Sequence, residues 1–537
     1  MTPRKNSRPT NNPPTTMKST STKSPTNVLF ATKSLLIACA LSGALALAPV
    51  ASADLRWDAD PETPDAQYGD GTWSTTNATW WDTAKLENVA WTNSNSTSAN
   101  VVFGGEVNTA PATVTVTLGE AITANQISMG SAFASDLVIT NGGDASRTLT
   151  NSYFTTNQAT KTMTIDAVIT GSQNVYKVQQ GAVIFTQNNT YTGNTYIRTN
   201  TTTAKALQIG NNTTTGSLGT GVVIFEATLP GAGVSELAFK RADDITVSNR
   251  FIYNGNVTLV NGGTTGRKAI VSNQSATGNV ILTGRHELVA NDTGVYPIVE
   301  YSAVSKNLTL TGVISVDEKG TSGGGIYKSG AGTLELTAAN TYVGTTVIGS
   351  GTFLASNTTG SATGSSTVTI NSGATLGGSG NLAGATTVAG VLRPGSGDTT
   401  AILSFGDTLT LGDGASLDLR IKDTANYDAI AVTGALSLSN TTLNLSLDGL
   451  VAGSGAVFTI ATYASLSGTF LDLANGATVT LGGADYIINY GANRITLQMA
   501  SAVPEPATVA MLAALAALAA AGVVRRRRCC GGCVVER

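Results

Sequence analysis

The residues able to do chemistry are few, and their spacing works against them. Two adjacent pairs, Asp243-Asp244 and His286-Glu287, bring titratable groups together. Paired carboxylates are the acid–base apparatus of glycoside hydrolysis. Neighbours along a strand point to opposite faces, however, so neither pair converges on one substrate. His286 is the only His in the chain, which nearly excludes mechanisms that need His pairs or His triads. Asp58, Asp60, Glu62, Asp65 and Asp70 offer hard oxygens of the kind Ca²⁺ takes. Pro61 and Pro64 interrupt them, and neither the EF-hand spacing nor a G-G-x-G-x-D repeat occurs, so a solvated acidic loop is expected rather than a metal site. All five Trp fall between Trp57 and Trp91, at Trp57, Trp73, Trp80, Trp81 and Trp91. Their faces could stack on sugar rings, or they could close the open end of a stack of coils, and the cap is favoured. Thr113, Thr115 and Thr117 place three hydroxyls on one strand face, the pattern that binds ice when repeated regularly. No array at a fixed period follows, so outward Thr are expected to serve solubility. No catalytic residue, metal or cofactor is assigned, and the chain is read as non-enzymatic.

The elements that carry these residues are strands. The chain has 537 residues, 60 of them Gly, and only 12% are charged. Thr, Gly, Val and Asn dominate where a helical protein would use Ala, Leu, Glu and Lys. The formal net charge of -3 argues against nucleic acid as a partner. Thr113 to Leu118 alternates Thr with an apolar residue, and the same period-2 pattern recurs at Val257 to Val260, Thr333 to Leu336, Thr367 to Ile370 and Leu443 to Leu447. Gly, Asn, Asp and Ser clusters punctuate these runs, as turns require.

The two ends read as addresses. Residues 1–53 hold six basic residues and no acidic one, then an apolar run from Leu35 to Ala48 and the small-x-small site Ala51-Ser52-Ala53. Together these predict a secretory signal cut after Ala53, handled by the Sec translocase and signal peptidase. Residues 501–537 contain Val503-Pro504-Glu505-Pro506, an apolar stretch over 507–524 and Arg525, Arg526, Arg527 and Arg528. An 18-residue helix rises about 27 Å, enough to cross a bilayer core with slight thinning. The order of Pro-Glu-Pro, apolar helix and Arg cluster resembles the PEP-CTERM sorting signal of Gram-negative bacteria. That resemblance implies transient anchoring in the inner membrane, recognition by an exosortase and release to the cell surface or extracellular matrix. The tail departs from the family in continuing through Cys529-Cys530-Gly531-Gly532-Cys533 to Arg537. With both ends removed, residues 54–500 keep 20 basic and 32 acidic residues, a net charge of -12, and no Cys. Packing and backbone hydrogen bonds must then hold the fold without disulfides.

An internal repeat chooses among the β architectures. The segment from Tyr327 to Gly351 aligns without gaps on the one beginning at Tyr176-Lys177, at an offset of 151. Matches include Gly181/Gly332, Asn189/Asn340, Thr190/Thr341, Tyr191/Tyr342, Gly193/Gly344 and Ile197/Ile348. Strand, Asn-Thr-Tyr-x-Gly corner and strand is what a parallel β-helix needs on each rung. The run from Lys328 to Ile348 resembles the autotransporter-associated β-strand repeat. The resemblance implies a right-handed β-solenoid passenger, typically an adhesin-like stalk, although the C-terminal outer-membrane barrel of an autotransporter is replaced here by the sorting signal. The expected organisation is a signal at 1–53, a Trp-rich cap at 54–105, repeat-bearing solenoid at 106–400, its C-terminal part at 401–500 and the sorting signal at 501–537. The expected fold is all-β, a right-handed parallel β-helix with an N-terminal cap and one C-terminal transmembrane helix. The expected role is that of a non-enzymatic surface or matrix protein, adhesin-like or associated with an extracellular polysaccharide. A polysaccharide-active enzyme or carbohydrate-binding protein on the same scaffold is the alternative.

Overall fold

The computed structural model describes residues 54–94, 100–105, 108–199, 206–227, 234–254, 268–291, 294–320, 322–448, 456–482, 484–500 and 511–520. Everything described belongs to the unit from Ser52 to Arg537. Among these residues the fold is all-β apart from one short helix. It is a parallel β-solenoid. One sheet of 16 strands runs from Gly71–Trp73 to Ser465–Ser467. A 12-stranded sheet ends at Ile314–Val316, a 9-stranded sheet runs from Ile245–Val247 to Thr442–Leu447, and a 7-stranded sheet begins at Asn381–Leu382.

Period-2 alternation becomes core and surface directly. In Thr113–Leu118 the residues Val114, Val116 and Leu118 are buried while the three Thr point outward. In-register pairing then stacks like on like. One inward column of the largest sheet runs Val271, Tyr301, Lys328, Ile348, Ile370 and Val388. Each fully buried Val, Leu or Ile is worth about 1.5–3 kcal/mol, and coil-on-coil repetition is the main source of stability.

Antiparallel strands are added at the N-terminal end of the 12-stranded sheet and the C-terminal end of the 7-stranded sheet. Leu55–Trp57 pairs antiparallel with Trp80–Asp82, which pairs antiparallel with Glu87–Val89. At the other end Val457–Thr462, Arg494–Met499, Ala484–Tyr490 and Thr478–Leu481 form an antiparallel meander. On those two sheets the added strands cover the parallel edge that would otherwise template association.

The two repeat copies occupy different faces. In the first, Val175–Gln179 and Thr195–Thr199 lie in the 12-stranded sheet, with Ala182–Phe185 in the 16-stranded sheet between them. In the second, Ser322–Ser329 and Thr345–Ile348 lie in the 16-stranded sheet, with Thr333–Leu336 in the 9-stranded sheet. The motif specifies a strand–strand–corner order, and the face is set by where the preceding coils end. At Gly193 and Gly344 an added Cβ would overlap the carbonyl oxygen of Gln173 or Gly324, so a residue with a side chain does not fit where one coil crosses the next.

Of the C-terminal helix expected over 507–524, residues 511–520 are described and are helical, and Met511, Leu512, Leu515 and Leu518 are exposed. Among the described residues no helix is long and apolar enough to cross a membrane. Only ten residues of the expected 507–524 stretch are described as helix, about 15 Å at 1.5 Å per residue.

Candidate functional site

The Trp cluster forms the floor of the first coils. Trp57, Trp73 and Trp80 are fully buried and Trp91 nearly so. Trp80 meets Trp57 at 5.3 Å, Trp73 at 4.9 Å and Phe103 at 5.9 Å, mostly edge to face. The rings cover one another, so these four offer no face to a sugar; Trp81 is half-buried on the outer side of its strand. The acidic loop beside them is not simply solvated. Asp58 is buried, and its Oδ1 accepts the N–H groups of Asp60 at 3.0 Å and Gln67 at 3.1 Å, stapling the loop. Asp70 Oδ1 accepts the N–H of Thr115 at 2.6 Å.

An aromatic ladder lies elsewhere, and nothing in the local sequence marks it. Tyr153, Tyr176 and Tyr196 point outward on successive coils and stack at 4.5 Å and 4.5 Å, with the Arg198 guanidinium 4.6 Å over Tyr176. Their faces are also turned to one another, and the Tyr176 hydroxyl accepts Asn174 Nδ2 at 3.4 Å.

Both repeat copies build the same buried polar posts. The Asn189 carbonyl accepts the Ile169 N–H at 2.8 Å, as Asn340 does for Ile314 at 2.7 Å. Tyr191 and Tyr342 bond to Thr195 and Thr346 at 2.7 and 2.6 Å. Lys177 and Lys328 are both fully buried. Lys177 Nζ donates to Gln179 O at 2.8 Å, and Lys328 Nζ to Ser329 O, Gly330 O and Ser350 O at 2.7, 2.7 and 3.0 Å. Burial pulls the Lys177 ammonium down to about 7, against an opposing pull from Glu236, and Lys328 down to about 8.

His286 is a core residue. Its ring stacks on Phe251 at 4.5 Å, and Nδ1 lies 2.9 Å from Tyr253 Oη and 3.0 Å from Tyr301 Oη. Nε2 meets no partner among the described residues, and burial pulls the ring down to about 3. The unfolded chain takes up this proton below about 6.5, while the native ring refuses it until about 3. Its contribution is complete above the unfolded value and drains away as pH falls, by up to about 1.4 kcal/mol per pH unit. Urea midpoints between pH 6 and 4 should therefore fall more steeply for the native chain than for His286→Phe; parallel slopes would refute this. Glu287 points outward and pairs with Arg250, and Asp243 pairs with Arg241 at 2.8 Å. Neither adjacent pair forms a two-carboxylate site.

The arrangement best suited to a ligand lies on the outer face of the 9-stranded sheet. A groove of about 330 Å³ is lined by Arg393, Asp418, Arg420, Asp428, Asn444 and Ser446. It continues as a second hollow of about 250 Å³ along Thr333, Thr352, Thr375 and Gly377, sharing Arg393 and Arg420. Register explains the convergence, because Gly377 pairs with Arg393, and Asp418 with Asn444. Arg393 Nη2 lies 2.7 Å from Asp418 Oδ2, and Asp418 Oδ1 accepts Ser416 Oγ at 2.9 Å and Asn444 Nδ2 at 2.8 Å. Burial pushes the Asp418 carboxyl up, but these bonds, Arg393 first, outweigh it and leave it below the ordinary range. Asp428 goes the other way. Burial raises it, although Oδ1 accepts the Ala401 N–H at 2.8 Å and Oδ2 the Arg420 N–H at 2.9 Å. Two carboxyls with opposite shifts in one groove are the pattern of an acid and a base. Here both are bound up in holding neighbouring groups. No sequence signal joins Asp418 to Asp428, because a hairpin closed by Ile421 and Tyr427 brings them together.

The passenger-associated-transport-repeat family matches residues 177–199 and 326–355, and the PEP-CTERM protein-sorting motif matches 502–528. The chain thus carries autotransporter-associated repeats and a PEP-CTERM sorting motif, features of a protein exported to the surface, and the motif implies exosortase processing. The adhesin BmaC autotransporter of Brucella suis biovar 1 (strain 1330) is 28% identical over 293 residues. That stretch is 49% of this chain and 8% of the adhesin, so the homology is weak and covers a small part of the relative. The sorting residues Val503, Pro504, Glu505, Pro506 and Arg525 to Arg528 lie outside the described residues, as do Ala51 and Ala53.

Proposed function

We propose that the chain is a non-enzymatic surface or matrix scaffold, made as a precursor with a cleaved N-terminal signal and held briefly in the inner membrane by residues 507–524. The carrying observation is the pairing of a sorting motif with a solenoid whose buried polar groups are spent on holding coils together. The repeat and the partial similarity to an adhesin support a reading of adhesin-like attachment. Changing Pro504-Glu505-Pro506 to Ala in the native host tests it: the wild-type chain should reach the surface or medium, and the variant should accumulate in the inner-membrane fraction. Equal distribution of both would refute sorting by this motif.

The groove on the 9-stranded sheet favours a second reading, binding of an extracellular polysaccharide between Arg393, Asp418 and Asn444. Guanidinium, carboxylate and amide groups suit paired sugar hydroxyls. On this reading Arg393→Ala reduces retention on immobilised host polysaccharide. If instead the native chain releases reducing ends and Asp428→Asn does not, the groove is catalytic.

A further inference from the structure

The outer face of the 16-stranded sheet changes character after Tyr327. Six consecutive strands, Thr345–Ile348, Val368–Ile370, Thr386–Val388, Leu409–Leu411, Ala435–Leu438 and Ser465–Ser467, pair parallel with no shift of register. Their inward residues form the core, so the residues between them stand outward in two columns. The first, where Thr367, Ala385 and Thr408 stand just ahead of their strands and accept the N–H groups of Thr346, Val368 and Thr386, carries hydroxyls at Thr345, Thr367, Thr408 and Ser465, with Ala385 and Ala435 between. The second carries Thr369, Thr387, Thr410, Ser437 and Ser467, beginning from Val347. Neither column holds a charge. The second column upstream of residue 345 holds Tyr327, Glu300 and Glu236.

Pairing fixes the spacing. Neighbours in a column stand about 4.8 Å apart, and the two columns about 6.6 Å apart, two residues along the strand. Each Thr presents one hydroxyl and one methyl on a stiff β-branched stem, so the pattern is held without ordering long side chains. A single hydroxyl exchanged with water gains only about 1 kcal/mol or less, so this surface gives little to a small dissolved ligand. It also has no aromatic face for a pyranose to stack on. A solid lattice of water is different: once one contact forms the rest follow without new translational cost, and many weak hydroxyl contacts add. We propose that this face, from Thr345 to Ser467, orders water in two dimensions and binds ice. The irregular chain spacing of these residues hides the array in the sequence, because corners of different length separate strands that nonetheless stack in register.

The test uses the purified full chain in ice-recrystallisation and crystal-shaping assays. The native chain should keep grains small at micromolar concentration and facet growing crystals. Thr369→Tyr with Thr387→Tyr should raise the concentration needed about tenfold or more. Thr387→Lys, which places a charge in the second column and keeps an exposed strand position, should do the same. Ile252→Tyr, on the outer face of the 12-stranded sheet, should change nothing. Unfolding midpoints show that each variant is folded. A native chain without effect on ice, or column variants as active as the native chain, overturns the proposal. So does a native chain inactive on ice whose self-association in sedimentation is lost in Thr387→Lys, since the face would then pair two copies.

Discussion

Trp80→Ala is expected to cost about 3–5 kcal/mol of unfolding free energy, the range for emptying a large buried aromatic site. Trp80 is fully buried and touches Trp57, Trp73, Trp91 and Phe103, so the cavity opens at the centre of the cap. Its neighbour Trp81 is half-buried and belongs to none of these ring contacts. Trp81→Ala should cost about 1 kcal/mol or less. Denaturant midpoints for the two variants check the asymmetry, and equal losses would show that the cluster does not hold the cap. In a stack where each coil rests on its neighbours, loss of an end is felt inward. The first amides to lose exchange protection should lie in Leu55–Trp57, Gly71–Trp73 and Asn100–Phe103.

Alkaline stabilisation is the second large effect. Lys177 and Lys328 hold about 7 and about 8 in the folded chain, against 10.5 when exposed. Below the folded values both states carry the proton, and the full cost of burying two ammonium groups is present. Between those values and 10.5 the unfolded chain keeps protons that the folded chain releases, so stability rises with pH, by up to about 1.4 kcal/mol per unit for each lysine. The rise ends near 10. Burial raises the hydroxyls of Tyr191, Tyr253, Tyr301 and Tyr342, so the unfolded chain ionises first and stability falls again. Unfolding free energies from urea titrations should climb from pH 7 to about 9.5 by several kcal/mol at most, and Lys177→Met with Lys328→Met should flatten the climb. An unchanged slope in the double variant would place the titration elsewhere.

Period-2 alternation made the strands legible, and the Asn-Thr-Tyr-x-Gly match made the solenoid legible, because both depend on contacts within one coil. What depends on contacts between coils was not. Lys177 and Lys328 look like ordinary surface lysines in sequence, yet their inward register buries them between apolar neighbours. Asp58 reads as one of a solvated acidic run, but backbone N–H groups turn it inward. Asp418 meets Asp428 through a hairpin, while the Tyr153–Tyr176–Tyr196 stack and the two hydroxyl columns arise from which residues lie one coil apart. Coil length varies, so no fixed offset announces them.

The displacement of the repeat by one face carries a consequence for growth of such a chain. A unit that can start on either sheet is not committed to a direction. Copies inserted in tandem need not aim the same surface at the same side, and a feature built into the unit would be dealt out around the axis according to the coils before it. Lengthening by duplication could therefore add new headings for contact as well as reach, and a change of one coil upstream would re-aim everything beyond it.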